Sequence, residues 1–118
     1  MKIEIWSDVV CPFCYIGKRR LELALGEFAH REAVQVEWKS FQLTPDFVPV
    51  PGESIHASLA KKKGGPEAEG RRLNDHMALI AKEVGLTYDF DRAVPANTFL
   101  AHQLIHFGAH HGRQDATK

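Results

Sequence analysis

The sequence predicts an α/β fold that opens with a parallel strand–helix–strand unit. Ile3 and Ile5 alternate with polar neighbours, which is typical of a short strand. From Phe13 the apolar residues follow a helical period for about four turns, and a second alternation over residues 34–38 predicts another strand. Because a long helical connection separates the two strands, we expect them to be parallel, with a right-handed crossover.

Helices are predicted for the rest of the chain. A proline-rich stretch ends the second strand, because proline cannot donate to a sheet ladder. Helical segments are then expected over residues 54–63, from residue 66 to about 84, and from about residue 97 onward. In the last segment an apolar stripe through Leu100 and Leu104 is expected to pack into the core.

Both cysteines of the chain lie in one motif, Cys11-Pro12-Phe13-Cys14, between the first strand and the first helix. Pro12 suits the first helical turn, where its missing N–H costs nothing, and neither Pro12 nor Phe13 places a charge between the sulfurs. Free N–H groups and the helix dipole favour a thiolate at that end of a helix. The motif therefore predicts thiol–disulfide exchange, with Cys11 the more exposed and more acidic thiol and Cys14 the buried one.

Other uses of a cysteine pair are less well supported. A zinc site normally needs a second pair of ligands at short spacing, but the chain has no further cysteine, and His30 and His56 stand alone. A purely structural disulfide would close so short a loop that it would restrict the unfolded chain very little. An inert pair is the remaining alternative. We expect a redox pair that uses neither a metal nor a cofactor.

Charge and hydropathy exclude several classes of protein. The 118 residues carry 15 Lys and Arg against 15 Asp and Glu, so no excess of positive charge favours binding to nucleic acid or to an anionic membrane. No apolar run approaches membrane-spanning length, and the first residues lack the apolar stretch of a signal peptide. The expected location is the cytoplasm, where a Cys-x-x-Cys motif is more often catalytic than structural.

Three of the seven histidines recur every four residues and form a ridge: His102, His106 and His110. Stacked histidines can bind a transition metal, but no carboxylate or cysteine joins them in the sequence pattern. A solvated or cleft-facing helix side opposite the apolar stripe is expected instead. Either Asn97 or Thr98 is expected to cap this helix, and His102 and Asn97 are candidates for lining a cleft above the cysteines.

Three stretches resemble one branch of a known family. Residues 7–21, SDVVCPFCYIGKRRL, strongly resemble the opening of the FrnE-like branch of the DsbA family of thioredoxin-fold thiol oxidoreductases. Residues 37–46, EWKSFQLTPD, are similar to that branch's second strand and following loop. Residues 97–106, NTFLAHQLIH, are similar to the helix that the branch inserts into the thioredoxin fold.

The resemblance implies a thioredoxin-like fold with an α-helical insertion. Residues 1–52 would form the N-terminal βαβ part, and residues 53–118 the insertion. It implies Cys11 as the attacking thiol and Cys14 as the resolving thiol, acting on disulfides of proteins or small thiols. Glutathione-dependent isomerases and kappa-class transferases are neighbouring relatives, but they usually carry serine where this chain has Cys11. A non-catalytic binding module, using the histidine ridge, is a third hypothesis.

Family members extend well beyond the length of this chain. Their remaining segment supplies further strands, a final helix and a loop whose cis-proline faces the motif, and neither Pro66 nor Pro95 fits that role. We expect a truncated fold whose insertion is incomplete. A sheet of two strands leaves apolar faces and strand edges without cover, so self-association is expected.

Overall fold

The computed structural model describes residues 1–118 and confirms the α/β fold, with a small sheet and several helices. Its elements in chain order are β1 (Lys2–Ser7), α1 (Pro12–Glu27), a short 3-10 helix (Arg31–Ala33), β2 (Gln35–Ser40), α2 (Ile55–Lys63), α3 (Glu67–Glu83), α4 (Phe99–His110) and α5 (Gln114–Thr117). None of these helices combines the length and the apolar character that a membrane crossing requires.

The two strands pair in parallel, as the sequence predicts. The register runs from Lys2 opposite Gln35 to Ser7 opposite Ser40. Contacts divide the chain into two compact units, one comprising residues 1–46 and 97–118 and the other residues 47–96. The first unit therefore contains the sheet together with α1, α4 and α5, and the second contains α2 and α3.

The core of the first unit lies around the sheet, where Ile16, Trp38 and Ile105 are buried. Helix α5 closes the outer edge of β2 with a side chain. The Gln114 amide accepts from Trp38 N at 3.0 Å and donates to Trp38 O at 2.8 Å, as a neighbouring strand would. Asp115 Oδ1 accepts from the Trp38 indole N–H at 3.0 Å. These contacts fix the tryptophan between α5 and the sheet.

Helix α4 differs from the sequence-based prediction. Leu100 and Leu104 are 74% and 59% exposed, whereas the buried positions are His102, Ile105 and Gly108. Gly108 allows α5 to approach closely, since a Cβ built there would lie 2.2 Å from Thr117 Oγ1. The prediction that Leu100 and Leu104 pack into the core is thus wrong. A buried hydrogen bond to His102 and the small size of Gly108 determine which side of α4 packs inward.

The second unit is a helical hairpin. Ser54 caps α2 by accepting from Ala57 N at 3.0 Å, and Gly64 ends it in the left-handed conformation. His56 is buried, with its ring nitrogens 3.0 Å from Asn74 Nδ2 and 3.2 Å from Asp91 Oδ1. These bonds satisfy both ring nitrogens, so His56 is a structural residue of this unit.

Candidate redox site

The cysteine motif lies where the sequence places it, at the start of α1. Pro12 is the first residue of the helix, and Cys11 occupies the preceding cap position with extended backbone angles. Cys14 N donates to Cys11 O at 3.0 Å, so the backbone turns tightly between the two thiols. Both cysteines are free thiols, and both are half-buried. The expected contrast between an exposed Cys11 and a buried Cys14 is therefore weaker than predicted.

The electrostatic setting of Cys11 also differs from expectation. Burial raises the pKa of the Cys11 thiol, and the neighbouring Cys14 thiol raises it further. Backbone N–H groups of Cys14 and Phe13 lower it, as expected for a helix N-terminus, but they do not outweigh burial. The net pKa of Cys11 in the dithiol form lies above its ordinary value, so the helix start alone does not make this thiol acidic.

Apolar side chains around the motif are exposed. Phe13 is 58% exposed, and Val9, Val10 and Tyr15 are also exposed, whereas Pro12 is half-buried. Phe13 thus adds apolar surface directly beside the two cysteines.

A buried carboxylate anchors the segment that leads into the motif. Asp8 is 1% exposed and accepts hydrogen bonds from Val9 N at 2.7 Å, Leu43 N at 2.8 Å and His102 Nε2 at 3.0 Å. The Thr98 side chain bonds to it as well. Asp8 therefore joins the strand end before the motif, the loop after β2 and the first turn of α4.

The hydrogen bonds around Asp8 also decide its charge. Burial raises the pKa of the Asp8 carboxyl, but the N–H groups of Leu43 and Val9, the Thr98 hydroxyl and His102 together lower it by more. The net pKa lies below the ordinary value, so the group is a carboxylate at neutral pH. A carboxylate with this many donors serves better as an anchor than as a proton acceptor.

The other predicted site residues make structural contacts in the first unit. His102 is 5% exposed and faces Asp8. Asn97 Oδ1 accepts from Phe99 N at 2.9 Å, and Asn97 Nδ2 donates to Pro45 O at 2.9 Å. Asn97, which precedes the cap residue Thr98, therefore ties the start of α4 to the loop after β2.

The histidine ridge is divided between different environments. His102 is buried, His106 Nε2 lies 2.7 Å from Ser40 Oγ, and His110 is exposed. No group of three or more His, Cys, Asp or Glu side chains is arranged to hold a metal ion.

Two lysines lie close to the motif. Together with Asp8, Val9 and Tyr15, Lys18 and Lys118 line a small cleft. Their ammonium nitrogens lie 5.9 Å and 5.6 Å from the centre of the Trp38 ring. Lys18 follows Cys14 by four residues, a spacing that places the two side chains on the same face of α1. No local signal in the sequence places Lys118 here.

Comparisons with known proteins agree with the fold. A family model described as a DSBA-like thioredoxin domain matches residues 2–118. The crystal structure of a probable DsbA oxidoreductase from Streptomyces coelicolor matches 98% of this chain with a TM-score of 0.87 and 35% sequence identity. An uncharacterized protein of Bacillus subtilis (strain 168), YwbO, is 44% identical over 43 residues, which are 36% of this chain and 20% of that protein. The chain spans 50% of the Streptomyces structure.

Proposed function

Because this chain belongs to the DSBA-like thioredoxin domain family, we propose that it is a thiol–disulfide oxidoreductase with Cys11 and Cys14 as its redox pair. The observation that carries the proposal is the position of two free thiols one helical turn apart at the start of α1. The family and the fold support oxidoreductase activity in general, and the roles of the two cysteines are our inference.

The proposed reaction passes through a mixed disulfide. The Cys11 thiolate attacks one sulfur of a substrate disulfide, which forms a bond to Cys11 and releases the other substrate sulfur as a thiolate. Cys14 then loses its proton and attacks Cys11 Sγ. The bond between Cys11 and the substrate breaks, the substrate leaves reduced, and the Cys11–Cys14 disulfide remains. The reverse sequence would oxidise a substrate dithiol.

We infer the substrate class from the apolar surroundings of the motif. Exposed Phe13, Val9 and Val10 favour apolar segments of proteins as substrates. We place the chain in the FrnE-like branch on the three sequence stretches described above. That placement, like the substrate class, is a proposal for the whole protein.

Trapping of the mixed disulfide tests the proposed function. Incubation of the reduced chain with oxidised glutathione should produce an intramolecular disulfide, detected by mass spectrometry. Cys14→Ser should accumulate a glutathione adduct on Cys11, and Cys11→Ser should form far less adduct. A predominant adduct on Cys14 would reverse the roles. A Cys14→Ser protein that keeps full catalytic activity would instead indicate glutathione-dependent isomerase or transferase chemistry, because that chemistry does not require Cys14.

A further inference from the structure

The outer edge of strand β2 is closed by a side chain instead of a strand. Gln35 N donates to Met1 O at 2.9 Å at the start of the pairing with β1, so the odd-numbered residues of β2 bond inward. Alternate residues of a strand direct their backbone groups to opposite sides. The N–H and C=O groups that point outward are therefore those of Val36, Trp38 and Ser40.

Gln114 occupies the middle one of these three positions. Because its amide bonds both Trp38 N, at 3.0 Å, and Trp38 O, at 2.8 Å, neither backbone group is left for a further strand. The neighbouring Asp115 accepts from the Trp38 indole N–H at 3.0 Å. Arg113 N donates to Gly108 O at 2.7 Å, so the start of α5 is itself tied to α4. Gln114 is thus a plug on the strand edge, anchored by α4.

The strand under this plug is complementary to a second copy of itself. In an antiparallel pair of β2 strands centred on Trp38, Glu37 of one copy lies opposite Lys39 of the other. The outward backbone groups of residues 36, 38 and 40 then bond those of residues 40, 38 and 36. A shift by two residues in either direction would place Glu37 opposite Glu37 or Lys39 opposite Lys39, and like charges in opposite positions destabilise a sheet. Charge therefore selects one register, and its centre is the residue that Gln114 covers.

We propose that Gln114 prevents two copies of this chain from pairing through β2, and that its withdrawal exposes a dimerisation edge. A strand edge with free N–H and C=O groups is a template for another chain. Withdrawal of Gln114 would leave both Trp38 backbone groups without a protein partner, and a second copy of β2 would supply one for each. The proposal concerns association and goes beyond the thiol chemistry, so it does not depend on the proposed function.

Cysteine cross-linking across the proposed pair tests this role. Glu37→Cys and Lys39→Cys are made in separate chains that also carry Cys11→Ser and Cys14→Ser, and the two chains are mixed. In the proposed register the new thiols form a non-hydrogen-bonded pair with Cα atoms about 4.5 Å apart, which is within disulfide reach. Lys39 of the first chain stays opposite Glu37 of the second. Adding Gln114→Ala to both chains should raise the yield of the 37–39 disulfide about tenfold.

Two matched variants complete the experiment. Gln114→Asn keeps the amide on a shorter side chain and should give a smaller increase, and it serves as the test if the alanine variant loses its helical circular dichroism. Gln103→Ala removes an exposed glutamine of α4 and should leave cross-linking at the level found with Gln114 present. The proposal would be overturned if cross-linking rose in neither Gln114 variant or was as strong with Gln114 in place. Disulfides that join residue 37 mainly to residue 37, as peptide mass mapping would reveal, would overturn it as well.

Discussion

At the residue scale, the buried carboxylate of Asp8 holds the segment that presents the cysteines. Its partners come from three parts of the chain: the residue that follows it, the loop after β2 and the first turn of α4. If Asp8 lost its negative charge, these buried donors would have a weaker acceptor. A buried donor without an adequate acceptor lowers the stability of the fold.

Asp8→Asn should therefore lower the free energy of unfolding by about 2 kcal/mol at neutral pH. Because the folded pKa of Asp8 is depressed, its stabilisation is present above the ordinary pKa of 3.8 and is lost as pH falls through the folded pKa. The difference in the free energy of unfolding between the wild type and the Asp8→Asn protein should therefore become smaller at pH values below 3.8. Urea unfolding at neutral and acid pH measures it, with the exposed Asp75→Asn as control. An Asp8→Asn protein as stable as the wild type would contradict this account.

At the scale of elements, close helix contacts depend on glycine. Gly70 of α3 lies directly against α2, and a Cβ built on it would lie 2.1 Å from the His56 carbonyl oxygen and 3.1 Å from Ala60 N. Those atoms belong to helical backbone, so they cannot move aside without a shift of the whole helix. Gly17 of α1 has no atom within 4 Å of its built Cβ.

The two glycines should respond in opposite ways to alanine. Gly70→Ala should destabilise the chain by about 3 kcal/mol, because the helices of the hairpin must separate. Gly17→Ala should stabilise it by up to about 1 kcal/mol, because alanine loses less backbone entropy in a helix. Thermal unfolding followed by circular dichroism compares them. Equal effects of the two substitutions would show that the α2–α3 contact does not limit stability.

At the scale of the whole molecule, several large apolar side chains of the first unit are exposed to solvent. Trp6 on β1 is 62% exposed, and Leu100, Leu104 and Phe107 on α4 are 74%, 59% and 61% exposed. The outer edge of β2 is occupied at Trp38 by Gln114, whereas no further strand pairs with β1. The uncovered apolar area favours association, at roughly 25 cal/mol for each Å² buried.

We predict that the isolated chain self-associates with rising concentration and reduces insulin slowly. Light scattering measures the first property, and an insulin-reduction assay the second. The comparison protein is the Streptomyces protein itself, of which this chain spans half the length. A monomeric chain as active as the Streptomyces protein would refute the prediction.

The sequence by itself determined the local structure and the place of the two cysteines at the start of α1. Alternation along β1 and β2, the proline at the start of α1 and the spacing of the two cysteines are patterns of neighbouring residues, and each describes an interaction within one turn or one strand. The family resemblance added the thioredoxin-like fold.

Only the tertiary structure decided which side of each helix is buried and which charges surround the thiols. A helical period shows that α4 has distinct sides, but the bond from His102 to Asp8, 94 residues away in sequence, selects the buried one and leaves Leu100 exposed. The position of Lys118 likewise depends on a contact to Asp8 across 110 residues. Burial of Cys11, which raises its pKa, is a property of the packed unit. Such effects arise from long-range packing, and local sequence patterns carry no record of it.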